Sequence, residues 1–117
     1  MEGFKRKKYK ENFYMLTSKQ RAYLKGVAAG EDTILQIGKG GITDNLKIQV
    51  NDALRARELV KIKVLETALM TSKEAAQVLA EATKSEIVQT IGSKLVLFKR
   101  NPQEPKYELP KSEGKKS

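Results

Sequence analysis

The sequence contains no cysteine and no histidine. Disulfides, thiol nucleophiles, Cys/His zinc sites and histidine-based triads are therefore excluded. Only three prolines occur, at 102, 105 and 110, so none interrupts an element upstream of them. No apolar run is long enough to span a bilayer, and no signal-peptide apolar core is visible, which predicts a soluble cytoplasmic protein. No repeat is visible. The carboxylates Glu31, Asp32, Asp44 and Asp52 are dispersed and fit solvated surface, and Glu66 has no identifiable partner. No arrangement of residues points to catalysis, so an enzyme is not expected.

What is present is positive charge. The 117 residues carry a net charge of +9, with apolar residues at 39%, enough for one modest core. Residues 1–15 hold +3, residues 16–99 hold +4 and residues 100–117 hold +2, so the two ends supply over half of the excess. A solubilising balance with sticky tails is the plainer interpretation; a polyanionic partner, most often nucleic acid, is the sharper one.

The stretch around which the rest is organised is Ile34-Leu35-Gln36-Ile37-Gly38-Lys39-Gly40-Gly41-Ile42-Thr43. It reads as strand, glycine turn, helix. Glycines permit positive φ and close approach of a ligand to the main chain. The helix start that follows leaves N–H groups unpaired and favours anions, and Lys39 adds a charge at the same place. The pattern is neither a P-loop nor a dinucleotide fingerprint. A G-x-x-G loop can clamp nucleotide phosphates, although in KH domains it joins two helices and here a strand precedes it.

Along the chain, residues 1–15 alternate basic and aromatic residues without period and read as a flexible arm. Two interpretations stand: an RNA-stacking arm, or a leader preceding a natural start at Met15. Thr17 and Gln20 form a capping box opening a helix to about Ala28, with Gln20, Leu24, Val27 and Ala28 inward, Arg21 and Lys25 beyond its edge and Gly26 outward. Residues 33–37 form the first strand. Thr43 caps a helix to about Arg57, with Leu46, Val50, Ala53 and Leu54 inward and Lys47, Asn51 and Arg55 on an outer stripe. Ile48 has no assigned partner. Residues 59–64 alternate, which places Val60, Ile62 and Val64 on one face and Lys61 and Lys63 on another, taken as wet and positive. Thr71 and Glu74 open a third helix to about Lys84, with Ala75, Val78, Leu79 and Ala82 inward. Residues 86–91 and 95–98 form two more strands joined at Gly92-Ser93 by a type II′ turn. Residues 101–117 read as an extended tail fading into disorder.

The order α-β-α-β-α-β-β predicts an α/β (α+β) two-layer sandwich: a four-stranded mixed sheet with helices on one face and the other face open. The candidate binding residues are Gly38, Lys39, Gly40, Gly41 and Thr43 at the loop, Arg21 and Lys25 on the first helix, Lys47 and Arg55 on the second, Lys61 and Lys63 on the sheet and Lys94 after the last turn.

Four blocks in this order resemble a known family: Leu16-Thr17-Ser18-Lys19-Gln20 with Leu24-Lys25-Gly26; Ile37-Gly38-Lys39-Gly40-Gly41-Ile42-Thr43; Glu58-Leu59-Val60-Lys61-Ile62-Lys63-Val64; and Ile91-Gly92 with Leu95-Val96-Leu97-Phe98. They are similar to the bacterial YhbY family, the stand-alone form of the CRM (chloroplast RNA splicing and ribosome maturation) domain, over residues 16–100. The resemblance implies a fold like the C-terminal domain of translation initiation factor 3, RNA binding, association with precursors of the large ribosomal subunit, and no catalysis. The position after Gly92, often basic in the family, is Ser93 here, with Lys94 next. The expectation is therefore a monomeric domain over residues 16–100 that binds ribosomal RNA and assists large-subunit assembly, with no cofactor, metal, membrane or small-molecule substrate. The alternative is a protein-interaction module of the translation apparatus that turns its basic surface to an acidic partner.

Overall fold

Three threonines start the three helices. In a computed structural model, which describes residues 16–110, the Thr17, Thr43 and Thr71 hydroxyls accept from the backbone N–H of Gln20, Leu46 and Glu74 at 3.1, 3.0 and 3.0 Å. Gln20 and Glu74 return the bond to the N–H of Thr17 and Thr71, completing both capping boxes. Each cap stabilises its helix by about 1 kcal/mol. The basic–aromatic arm expected at residues 1–15, and residues 111–117, lie outside the described residues.

The helices are α1 (Ser18–Ala29), α2 (Asp44–Arg57) and α3 (Ser72–Thr83); the strands are β1 (Leu35–Ile37), β2 (Leu59–Val64), β3 (Glu86–Ile91) and β4 (Lys94–Phe98), with one 3₁₀ turn at Glu66–Ala68. The order is the expected one. The sheet runs β1-β2-β4-β3, with β1 parallel to β2 and the other pairs antiparallel, and a bulge interrupts β3 between Ile87 and Gln89. Gly92 takes φ +58 and Ser93 does not share a positive φ, as a type II′ hairpin requires.

The layering departs from expectation. The sheet is covered on both faces. Val60, Ile62 and Val64 pack with Leu95, Leu97 and Ile37 under α2 and α3. The opposite face carries Leu59, Val88, Val96 and Phe98, and α1 closes over them with Leu24 and Ala28. Burial of each such side chain contributes about 1.5–3 kcal/mol, which the two-layer arrangement would have forfeited for Val96, Phe98 and Leu24. β4 is consequently buried on both faces from Leu95 to Phe98.

α3 is also rotated from its expected stripe. Ser72, Ala75, Ala76, Leu79 and Thr83 face inward, while Val78 stays 45% exposed and Ala82 lies outside. Thr83 tolerates burial because its hydroxyl meets the Leu79 carbonyl at 2.7 Å and the Ser85 hydroxyl at 2.8 Å.

Residues 101–110 lack regular structure, yet they are tied to the domain through Glu58. This residue caps α2 at φ +66 and is fully buried. Its carboxylate accepts from the N–H of Asn101, Lys106 (2.7 Å) and Tyr107 (3.3 Å) and from the Arg100 guanidinium at 3.4 Å. Tyr107 and Leu109 extend the apolar cluster under α1, and Gln20 donates to the Pro110 carbonyl at 3.1 Å. The chain after Arg100 is therefore a strap over residues 101–110 rather than a free tail.

Candidate nucleic-acid interface

The parallel pairing of β1 and β2 brings the ends of both strands to one end of the sheet. The Gly38–Gly41 segment emerges there as a turn closed by a Gly41 N–H to Gly38 carbonyl bond of 2.9 Å. Lys39 and Gly40 occupy its exposed tip. Gly41 takes φ +70, which a side chain resists; Gly40 does not, and a Cβ there would meet only the Thr43 methyl at 3.9 Å. Thr43 accepts from Leu46 as the α2 cap and retains its hydroxyl proton as a donor.

Neighbouring segments form a ridge with this turn. Gly38 lies against Leu65 and Thr67, and Gly41 against Met70. The β3–β4 hairpin joins through a Val64 N–H to Ser93 carbonyl bond of 2.7 Å, and Ser72 donates to the Gly92 carbonyl at 2.9 Å. Leu69, at the crest, is 91% exposed in a left-handed conformation.

Below the ridge, a single register row crosses all four strands: Gln36, Lys63, Lys94 and Ile91. The alternation of β2 and β4 places this row on the α1 side of the sheet. α1 covers the part of that face remote from the turn, so the row is left uncovered, with Gln36 and Ile91 exposed and the two lysines half-buried. Lys63 and Lys94 stand directly opposite each other, a like-charge pairing that destabilises a sheet and suits an anion placed over both.

The other candidates are distributed differently. The Lys61 ammonium donates to the Ala28 carbonyl at 3.0 Å and the Glu31 carbonyl at 3.3 Å, where it satisfies the C-terminal end of α1 and opposes its dipole. Arg21 donates to the Ile87 carbonyl at 3.2 Å and pairs with Glu86 at 3.5 Å, fixing α1 across β3. Burial raises the Glu86 pKa above its ordinary range, against the Leu16 N–H and Arg21, which lower it. Lys61 and Arg21 therefore hold α1 in place, so Lys61 does not stand on the wet, positive face expected for it together with Lys63. Lys25 is exposed on α1. Lys47 and Arg55 lie along α2, in loose surface pairs with Asp44 (3.8 Å) and Asp52 (3.6 Å) that are worth little. Sequence reasoning missed Ile91 and Leu69, whose only signal was an apolar residue beside a turn. Among the described residues no cluster of carboxylates suits a metal ion, and no helix is long and apolar enough to cross a membrane.

Fold and surface together define a small α+β domain with an exposed glycine turn and a facing pair of lysines at one end of its sheet. The CRS1/YhbY (CRM) domain model matches residues 16–99, and the chain belongs to that family. It is 41% identical over 96 residues to the "Probable RNA-binding protein YqeI" of Bacillus subtilis, covering 82% of this chain and all of the relative. It is 34% identical over 96 residues to an RNA-binding protein of Haemophilus influenzae, covering 82% and 96% of the two chains. The solution structure of a hypothetical protein from Staphylococcus aureus superposes with a TM-score of 0.67 at 44% identity, over 82% of this chain and all of that one.

Proposed function

We propose that this protein binds RNA through the turn-bearing end of its sheet, that the RNA is ribosomal RNA in precursors of the large subunit, and that it acts there as a monomeric assembly factor without catalysis. The observation that carries the reading is the row Gln36–Lys63–Lys94–Ile91 beneath the exposed Lys39–Gly40 tip: donors for phosphates next to apolar surface for sugar or base. The names of the relatives support RNA as the ligand, and the family resemblance supports the ribosomal setting.

Filter binding to ribosomal RNA over a salt series tests it. If about five phosphates are neutralised, log K against log salt falls with a slope near −3.5 for single-stranded RNA. Lys39→Ala removes a charge-assisted hydrogen bond and weakens binding by roughly ten- to a hundred-fold with little effect on stability. Lys106→Ala is the proper comparison, because Lys106 lies at the opposite end of the sheet with its N–H on Glu58, whereas Lys73 follows Ser72 at the ridge itself. Equal losses in the two variants would reduce the turn to generic charge. A flat salt response would favour an acidic protein partner. Sedimentation of the protein with large-subunit precursors on a sucrose gradient tests the ribosomal assignment; protein remaining at the top of the gradient overturns it.

A further inference from the structure

A second basic surface lies on the opposite side of the molecule. α2, the C-terminal end of α3 and the residue after β4 line a shallow, open groove of about 510 Å³ that carries Lys47, Asn51, Arg55, Lys84 and Lys99, with Ile48 in its wall. One carboxylate of the lining, Asp52, pairs with Arg55 at 3.6 Å, and Lys47 pairs with Asp44 outside the groove at 3.8 Å. The Lys99 ammonium is held by the Asn51 side-chain carbonyl at 3.3 Å. Burial, then Arg55 and Lys84, push its pKa below the ordinary lysine range, so these cations repel one another. Lys84 is fixed at the α3 terminus in a left-handed conformation, φ 56, by its N–H to the Ala80 carbonyl. Ile48, which no core position explains, is 59% exposed within this charged surface.

The groove also has a direction. Lys47 is bonded through its N–H to the Thr43 carbonyl at 3.0 Å, so the track begins immediately behind the glycine turn. From Lys47 to Arg55 the helix advances roughly 12 Å, matching about three phosphates of a stacked strand. Lys47, Asn51 and Arg55 recur at i, i+4 and i+8 and so share one stripe of α2, a line that the backbone of one strand can follow. Past Arg55 and Lys99 it continues into a smaller cavity of about 170 Å³ bounded by Leu54 and Pro102.

We propose that this groove is a second track for single-stranded RNA, in which Lys47, Arg55, Lys84 and Lys99 hold successive phosphates of a strand that passes over the Gly38–Gly41 turn, and Ile48 meets a ribose or base. The proposal rests on the RNA-binding reading above and extends it from one face of the sheet to both. A site of this kind lengthens the bound segment, so its contribution depends on RNA length.

The test is fluorescence anisotropy with labelled oligouridine of about 4 and about 12 nucleotides. The expected result is that Lys84→Gln combined with Lys99→Gln lowers affinity for the longer oligomer about tenfold, leaves the shorter one unchanged and makes the salt slope shallower by about 1.4. Lys39→Ala weakens both oligomers. Thermal stability of the double variant should not fall, because two mutually repelling cations are removed. Ile48→Asp, a change on the groove wall that leaves every cation in place, should likewise weaken only the longer oligomer. If the double variant and Ile48→Asp keep wild-type affinity and slope on the longer RNA, the groove is not a track and the proposal is overturned, with the turn-end reading intact. A duplex of equal length that competes as well as the single strand also overturns it. Failure of the wild-type protein to bind either RNA overturns the RNA reading and the track together.

Discussion

The two ends of the sheet handle charge in opposite ways. At the end formed by the start of β2, one buried carboxylate gathers several donors: Glu58 takes three backbone N–H groups and a guanidinium, and Arg100 also lies 5.7 Å from the Phe98 ring centroid. At the turn-bearing end, Lys63 and Lys94 face each other and, among the described residues, neither has an ion pair. Satisfied charge orders the chain, and unsatisfied charge of one sign is available to a partner. The same basic composition thus does different work at positions a strand's length apart.

The largest way to break this contrast is Glu58→Ala. It removes the buried acceptor shared by three backbone N–H groups and the Arg100 guanidinium, and a loss of about 3–5 kcal/mol is expected by chemical denaturation. RNA affinity measured well below the unfolding midpoint should change far less than stability. Gly41→Ala acts at the other end through backbone strain: with φ +70 it should cost about 1–2 kcal/mol. Gly40→Ala sharpens the point, since the position accepts a Cβ. Its stability should hold while RNA affinity falls if the phosphate approaches the main chain there.

Lys63→Gln relieves the like-charge pair with Lys94. Its unfolding free energy should rise by a few tenths of a kcal/mol while RNA binding weakens. A simultaneous loss of stability and binding would mean that the lysine is a packing residue. The smallest effect is alkaline. Burial, with Glu31, Glu58 and Tyr23 after it, raises the Tyr107 pKa above its ordinary value of 10.0. The folded protein therefore keeps the phenolic proton where the unfolded chain has lost it, and stability falls as pH rises above the ordinary tyrosine value. Denaturation midpoints for Tyr107→Phe should lack that part of the alkaline decline.

Much of this molecule is legible in its residues because the determinants are local. Thr17, Thr43 and Thr71 announce their helices within three residues of the bonds they accept, and alternation in β2 separates the two core faces. The second covered face was signalled by Leu95-Val96-Leu97-Phe98, an unbroken apolar run that needs cover on both sides. The lysines of β2 obscured it, because an alternating strand also fits an open face; Lys61 instead stretches to the end of α1. Glu58 could not be read locally, since its partners lie 42 to 49 residues away. Of the candidate site, the turn and the Lys63–Lys94 pair follow from strand and hairpin positions. The cluster of Lys84 and Lys99 with Arg55 depends on how α3 and the chain after β4 pack beside α2, which no local pattern encodes.

The strand order has a consequence for behaviour at high concentration. The outermost strands are β1, only three residues long, and β3, broken by its bulge. Neither presents an uninterrupted ladder of free N–H and C=O groups on which a second copy could add a strand. Among the described residues the sheet thus ends in two poor borders, a short one and a kinked one, on which a further strand finds little regular backbone to pair with.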